Sequence, residues 1–448
     1  MVTSEEVRTA LESNLGAVLR LERQARWRPV WFATVARDGE EFEVCVRGER
    51  VDALMPFSLH HEMTLQRLMH EAGIPVAKVH FWSEDPTFYV MDRLPGQQEF
   101  DGVADADRRR IVDEYLRVLA RLHKLDIAPF IEAGIFHAAD PTKSWIAGML
   151  EYERTYRETK VAADPLMEFA LGWLKRHPVD SQGRQGVVVW DAGQFHHDGR
   201  HLVGLLDLEL GHIGDPMMDL GAWRMRGTTH NYGDYNELYA RYAELSGEPL
   251  DLAAIEWHHI AFTLSNQLSF HRALVQPVPG SNYMMNKYWC ALTNRMAVEA
   301  IAEYLNLELE ELEPPDPAEP AQLTAPLAYL VDTLRELLGA DEATAYVARN
   351  AFRIARHLQR FEEIGHQCEQ ADLDDLEALL GTRPRAWREG EEALERFVLA
   401  DEGRHDTELV RLFYRRTQRA QMVLGPAGSA MVKHHRTQPF RPVPAGRG

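Results

Sequence analysis

The sequence predicts an α+β chain: a small antiparallel sheet first, then a mainly helical stretch, then a separate helical C-terminus. Three observations carry this. Residues 17–50 alternate as three strands, AVLRLER, PVWFATVARDG and EEFEVCVRG, with Arg37-Asp38-Gly39 as a hairpin turn. From residue 106 onward, apolar residues recur at helical spacing. Residues 307–324, LELEELEPPDPAEPAQLT, are acidic and proline-rich and interrupt that helical pattern.

Composition narrows the class. A chain of 448 residues is long enough for two or three domains. Its 45% apolar and 26% charged content is that of a soluble globular protein. With 69 acidic against 49 basic residues the net charge is −20, which argues against nucleic acid or an anionic membrane as the main partner. Cys45, Cys290 and Cys368 are far apart and form no CxxC, so they read as reduced thiols of a cytoplasmic protein. The start MVTSEEVRTALESNLG has no basic and apolar signal pattern, and no run of 18 apolar residues predicts a membrane helix.

The elements follow in order. Residues 3–15 read as a helix capped by Thr3 or Ser4, with Glu5 and Glu6 in its first turn. Between the first two strands lies QARWRP, which has no glycine to let phosphate approach the backbone. Arg23, Arg26 and Arg28 offer side-chain charge there instead, and a solvated basic turn explains them equally well. MPFSLHHEMTLQRLMHEAG reads as a helix ending at Gly73, with Leu59, Met63, Leu68 and Met69 on its apolar face. Two strands and a turn at Glu84-Asp85-Pro86 follow. Residues 106–125 form an amphipathic helix through Ile111, Tyr115, Val118, Leu119 and Leu122. Further helices are expected over 144–177, in three stretches of 231–305, and repeatedly beyond the linker. The basic tail from Gly425, rich in glycine and proline, is expected to be poorly ordered.

The chemistry concentrates in VVVWDAGQFHHDGRHLVGLLDLELGHIGDPMMDLGAW, residues 187–223. Two short apolar strands, VVVW and LVGLLDL, each run into a loop that begins with a carboxylate, Asp191 and Asp207. Gln194 lies between them. Two carboxylates and an amide from adjacent strand ends can hold Mg2+ and a hydroxyl together. Taken alone, the same residues make an ordinary surface hairpin. Three histidines on the helix after Leu252 invite a metal reading, but His258 and His259 are neighbours on different faces and no HExxH spacing occurs.

The segment LLDLELGHIGDPMMDLGAW resembles the LDWE-x-A-x-x-GDP-x-x-DLA signature of aminoglycoside phosphotransferase-like and choline kinase-like small-molecule kinases. Leu206, Asp207, Glu209, His212, Gly214, Asp215, Pro216, Asp219 and Leu220 carry the match. FYVMDRLPG (88–96) and ARLH (120–123) are similar to two further stretches of that family. The resemblance implies a protein kinase-like two-lobe fold, with an antiparallel-sheet N-lobe over 1–95 and a mainly helical C-lobe over 96–306. The linker 307–324, a helical accessory domain over 325–424 and the tail 425–448 complete the chain. By the same resemblance Asp191 is the catalytic carboxylate, and Asp207 and Gln194 hold Mg2+. Arg47, set by Glu62, grips the phosphates of ATP, and Met91, Asp92 and Leu94 lie against adenine. Trp257, His258, Gln267, His271 and Arg272 are the candidates to line the acceptor pocket. The chain departs from the family in its catalytic loop. Where the family has His-Gly-Asp-x-x-x-x-Asn, this chain has Trp190-Asp191-Ala192-Gly193-Gln194. Ungapped, His196 takes the amide position; with a two-residue deletion Gln194 takes it, which keeps the distance to Asp207 and is preferred. The implied function is an ATP- and Mg2+-dependent phosphotransferase acting on a small-molecule hydroxyl. The departures leave a second reading, a pseudokinase-like binding or scaffolding protein. The expected partner is a small molecule, with neither nucleic acid nor membrane, and the C-terminal helical domain is the candidate surface for a homo-oligomer.

Overall fold

The computed structural model describes residues 2–24, 28–50, 55–339, 341–425 and 437–439. Arg26 and most of the tail from Gly425 lie outside these residues. The chain opens with helix α1 (Ser4–Asn14), capped by Thr3 as its composition predicts, with Glu6 completing a capping box. Strands β1 (Ala17–Arg23), β2 (Val30–Arg37) and β3 (Glu40–Gly48) follow. Asp38 and Gly39 both take positive φ, 54° and 86°, which is what a two-residue hairpin loop between right-twisted strands requires. Helix α2 (Leu59–Glu71) then leads to β4 (Val79–Ser83) and β5 (Phe88–Asp92). The five strands form one antiparallel sheet in the order β1-β2-β3-β5-β4.

Alternation along the strands sorts the side chains by face. Val44, Val46, Phe88 and Val90 join Val7 and Leu11 of α1 in one core. Tyr89 points the other way, against Leu59 and Met63 of α2. Arg47 sits opposite Tyr89 in the β3–β5 register, so both side chains meet α2. The sheet thereby delivers a cation to the face where Glu62 stands.

The remainder is mainly helical: α3 (Asp105–Leu122), α4 (Ala128–Glu132), α5 (Ser144–Thr159) and α6 (Pro165–Arg176) precede four short strands. These are β6 (Gly186–Val188), β7 (Phe195–His197), β8 (Leu202–Leu205) and β9 (His212–Gly214). Here the structure corrects the sequence reading. The two apolar stretches are not adjacent partners: β6 pairs with β9, and β8 pairs with β7. Helices α7 (Met217–Arg226), α8 (Tyr235–Ser246), α9 (Leu252–Val275) and α10 (Tyr283–Tyr304) follow, then α11 (Thr324–Glu336), α12 (Glu342–Arg360), α13 (His366–Leu380), α14 (Trp387–Asp401) and α15 (Asp406–Leu424). An antiparallel sheet, a mainly helical remainder and added C-terminal helices make the α+β plan that the sequence predicted.

The chain divides into two compact units. The first comprises residues 1–151, 179–262 and 435–448. Its main core gathers Tyr115 and Leu119 of α3, Val187, Val189 and Phe195 of the short strands, and Leu220 and Trp223 of α7. The second comprises 152–178 and 263–434. Within it the acidic, proline-rich segment has no regular structure but is tied down: Leu312 N–H donates to Gln418 Oε1 (2.8 Å), Gln418 Nε2 donates to Glu310 O (3.0 Å), and Ala318 N–H donates to Glu363 O (2.7 Å). Cys45, Cys290 and Cys368 are buried. Among the described residues no helix is long and apolar enough to cross a membrane.

Candidate active site

The site begins with a braced turn in the first unit. Asp219, in the first turn of α7, is fully buried. Its carboxylate accepts the backbone N–H groups of Val189 (3.1 Å) and Trp190 (2.7 Å) and contacts His123 Nε2 (3.0 Å). His123 in turn meets the Tyr242 hydroxyl at 2.7 Å. A buried carboxylate with this many donors fixes the backbone just before Asp191. Trp190 and Asp207 both take the left-handed region, at φ 54° and 56°. Such non-glycine residues persist only where their surroundings over-determine them. Gly193 has φ 94°, and a Cβ there would lie 2.6 Å from Trp223 Cδ1. Its N–H donates to Tyr115 Oη (2.6 Å) and its carbonyl accepts from Tyr232 Oη (2.7 Å). The shortened loop is thus held at both ends of its one glycine.

The turn brings the two carboxylates together through Gln194. Its Nε2 donates to Asp191 Oδ2 at 2.6 Å and to Asp207 Oδ2 at 3.2 Å. His196 instead faces the backbone carbonyls of Leu94 (3.2 Å) and Pro95 (3.0 Å). Of the two amide alignments, the one with the deletion is the one whose side chain bridges Asp191 and Asp207. Arg226, at the end of α7, grips Asp191 through Nε (2.9 Å to Oδ1) and Nη2 (2.5 Å to Oδ1, 2.6 Å to Oδ2). Burial pushes the Asp191 carboxyl above its usual range, against the pull of Arg226. Burial acts on Asp207 in the same sense, but the Arg47 charge and its hydrogen bond outweigh it and hold Asp207 below the usual carboxylate range.

On the sheet side, Arg47 Nη2 donates to Asp207 Oδ1 (2.6 Å), and its Nε lies 2.7 Å from Glu62 Oε1. Arg28 is buried and bridges Glu62 (2.8 Å) and Glu209 (2.6 Å), with its Nε on Gly48 O (3.0 Å). Arg50 reaches Glu209 at 3.1 Å, and Tyr89 Oη donates to Glu62 Oε1 at 2.9 Å. Burial, with Asp207 nearby, pushes the Glu209 carboxyl up. Four guanidiniums (Arg28, Arg47, Arg50, Arg226) are therefore interleaved with four carboxylates (Glu62, Asp191, Asp207, Glu209).

The segment expected against adenine continues from β5. Met91 Sδ accepts from Gln66 Nε2 (3.2 Å), and Asp92 Oδ1 meets His80 Nε2 (2.7 Å). The Leu94 carbonyl faces His196. Gly96 has φ 95°, and a Cβ would lie 2.5 Å from His197 O; this close approach lets Gln97 and His197 exchange backbone hydrogen bonds of 2.9 and 3.0 Å.

The five candidates for the acceptor pocket are divided between the two units. Trp257 and His258 are buried in the first unit, Trp257 edge-on to Trp145 with ring centres 4.8 Å apart. In the second unit Gln267 Nε2 (2.7 Å) and His271 Nδ1 (3.2 Å) both contact Asp164 Oδ2, and Arg272 is exposed. Sequence reasoning missed Arg50, Tyr89 and Arg226 as neighbours of the predicted residues. The register of Arg47 against Tyr89 was readable only once β5 was known to pair with β3. Arg226 had a signal in its spacing, one face along α7 from Asp219.

Residues 55–257, which span Glu62, Asp191, Gln194, Asp207 and Arg226, match the model of the phosphotransferase enzyme family. Relatives of the chain include acyl-CoA dehydrogenase family member 11 from Mus musculus, 26% identical over 179 residues, covering 36% of this chain and 22% of that protein. The Homo sapiens member 11 is 25% identical over 198 residues, covering 40% and 25%, and Mus musculus member 10 is 25% identical over 194 residues, covering 40% and 18%. The chain thus spans a quarter or less of the length of these relatives. Similar solved structures include macrolide 2'-phosphotransferase MphH from Brachybacterium faecium, 17% identical, covering 65% of this chain and 98% of that one with a TM-score of 0.44. Aminoglycoside phosphotransferase APH(4)-Ia in complex with ADP and hygromycin B is 12% identical, covering 66% and 97%, with a TM-score of 0.47.

Proposed function

We propose that the protein transfers the γ-phosphoryl group of Mg2+-bound ATP to a hydroxyl of a small molecule. The single observation that carries this is the joining of Asp191 and Asp207 by one amide, Gln194, with Arg47 of the sheet on the far oxygen of Asp207. Phosphoryl transfer asks a protein mostly for positioning and charge neutralisation. In this reading Asp191 orients the acceptor hydroxyl and takes its proton as the bond to phosphorus forms. Arg47, held by Glu62, meets phosphate oxygens, and the backbone from Met91 through Asp92 to Leu94 borders adenine.

The donor set fits Mg2+. Asp207 and the Gln194 amide offer hard oxygens. Among the described residues there is no ready cluster of three or more His, Cys, Asp or Glu. Mg2+ takes few protein ligands and completes its shell with phosphate oxygens and water. Gln194 would turn its Oε1 inward to serve, a reversal that a cation between the carboxylates favours. Asp207 and Gln194 are the residues that would hold the ion, which neutralises charge developing on the phosphoryl oxygens.

For the acceptor we propose a hydroxyl on an acyl compound. The support is the name shared by the relatives: proteins named for acyl-CoA dehydrogenation share part of this chain's sequence, and an acyl compound is the acceptor class that name suggests. Three widely spaced, buried cysteines fit a cytoplasmic setting. The test is transfer of labelled γ-phosphate from ATP to a panel of hydroxyacyl thioesters and free hydroxy acids. Formation of a phosphate monoester that needs Mg2+ and falls by about a hundredfold or more in Asp191→Asn supports the reading. Transfer that survives Asp191→Asn removes Asp191 from the catalytic role, and no transfer to any member alongside no binding of Mg2+-ATP favours the scaffolding alternative.

A further inference from the structure

Arg226 has no part in the reading above, yet it makes the densest set of contacts to the carboxylate at its centre. An ionised carboxylate offers about four lone-pair sites. On Asp191 all four are taken: Oδ1 by Arg226 Nε and Nη2, Oδ2 by Arg226 Nη2 and Gln194 Nε2. Both partners are well sheltered, with 19% of the Arg226 side chain and 14% of the Asp191 side chain exposed. If Gln194 turns toward a metal, Arg226 still covers both oxygens. A carboxylate so occupied cannot receive a proton from a hydroxyl or from water until the fork moves. The fork itself is set by the fold, since α7 also carries Asp219, which braces Trp190.

We infer that Arg226 is a guard on Asp191: it denies water the carboxylate, so ATP is not hydrolysed before an acceptor enters and displaces the guanidinium. It is a specificity-determining residue that acts through Asp191. The suppressed reaction is simple to write. A water oxygen bonds to the γ-phosphorus, the bond from that phosphorus to the β,γ-bridging oxygen breaks, ADP leaves with that electron pair, and Asp191 takes the proton from water. The inference rests on Asp191 being the catalytic carboxylate of the proposed reaction.

The experiment measures acceptor-free, Mg2+-dependent ATP hydrolysis in wild type, Arg226→Lys, Arg226→Gln and the double variant Arg226→Gln with Asp191→Asn. Thermal unfolding with and without Mg2+-ATP on each checks the fold and the nucleotide site. Hydrolysis should rise by at least about tenfold in Arg226→Gln, within what a freed general base supplies. It should rise less in Arg226→Lys, which cannot form the fork, and return to the wild-type level in the double variant. No rise, a fall, or a rise that persists without Asp191 overturns the guard while Mg2+-ATP still shifts unfolding. Loss of that shift in wild type overturns the proposed function instead, and the guard with it.

Discussion

His258 is buried with no hydrogen-bond partner on either ring nitrogen, and burial pushes its pKa down to about 3. An unpartnered polar ring in a core costs stability even when neutral. The pH dependence follows by linkage. The ring has an ordinary value of 6.5, so below that pH the unfolded chain takes up a proton that the native chain refuses. Stability contributed here is full above pH 6.5 and falls with pH down to about 3. Between pH 7 and pH 5 the loss from this group is roughly 2 kcal/mol. His258→Leu should therefore be more stable than wild type at pH 7 by about 1 kcal/mol, and the gap should widen toward pH 5. Urea midpoints at the two pH values measure it. A gap that stays constant with pH would show that the imidazole is not the group titrating. A less stable variant would show that the ring has a partner in solution.

At the scale of elements, the short strands and α7 form one mechanical part. Asp219 ties α7 to the backbone before Asp191, and Arg226, on the same helix, ties it to the Asp191 side chain. Asp219→Ala leaves two buried N–H groups and His123 without their acceptor. It should cost about 3 kcal/mol or more in urea unfolding; a loss under about 1 kcal/mol would mean the turn holds without it. Much of this part was legible beforehand. The GDPMMDL run marked this segment by its motif though not the helix it begins, and the distance from Gln194 to Asp207 favoured the amide that contacts both carboxylates. Strand pairing was not legible, because three- and four-residue strands carry too little alternation to name a partner. Nor was the environment of α9. Its Trp257, His258, Gln267, His271 and Arg272 read as candidates to line the acceptor pocket, but the burial of Trp257 and His258 and the contacts of Gln267 and His271 with the buried Asp164 are not written in local periodicity. Arg28 shows the same limit: it was one of three basic residues in a turn, and only the fold placed it between Glu62 and Glu209.

For the molecule as a whole, every residue proposed to handle nucleotide, metal or the Asp191 proton lies in the first unit. Ligand binding to that site should stabilise that unit directly. The most direct test of the central claim is thermal unfolding with and without Mg2+-ATP, in wild type and Asp207→Ala. At about 100 times its dissociation constant a ligand stabilises by roughly 2.7 kcal/mol, enough to move the melting temperature by several degrees. The account predicts an upward shift that requires Mg2+ and is lost in Asp207→Ala. No shift at millimolar Mg2+-ATP, or a shift of equal size in Asp207→Ala, would contradict it.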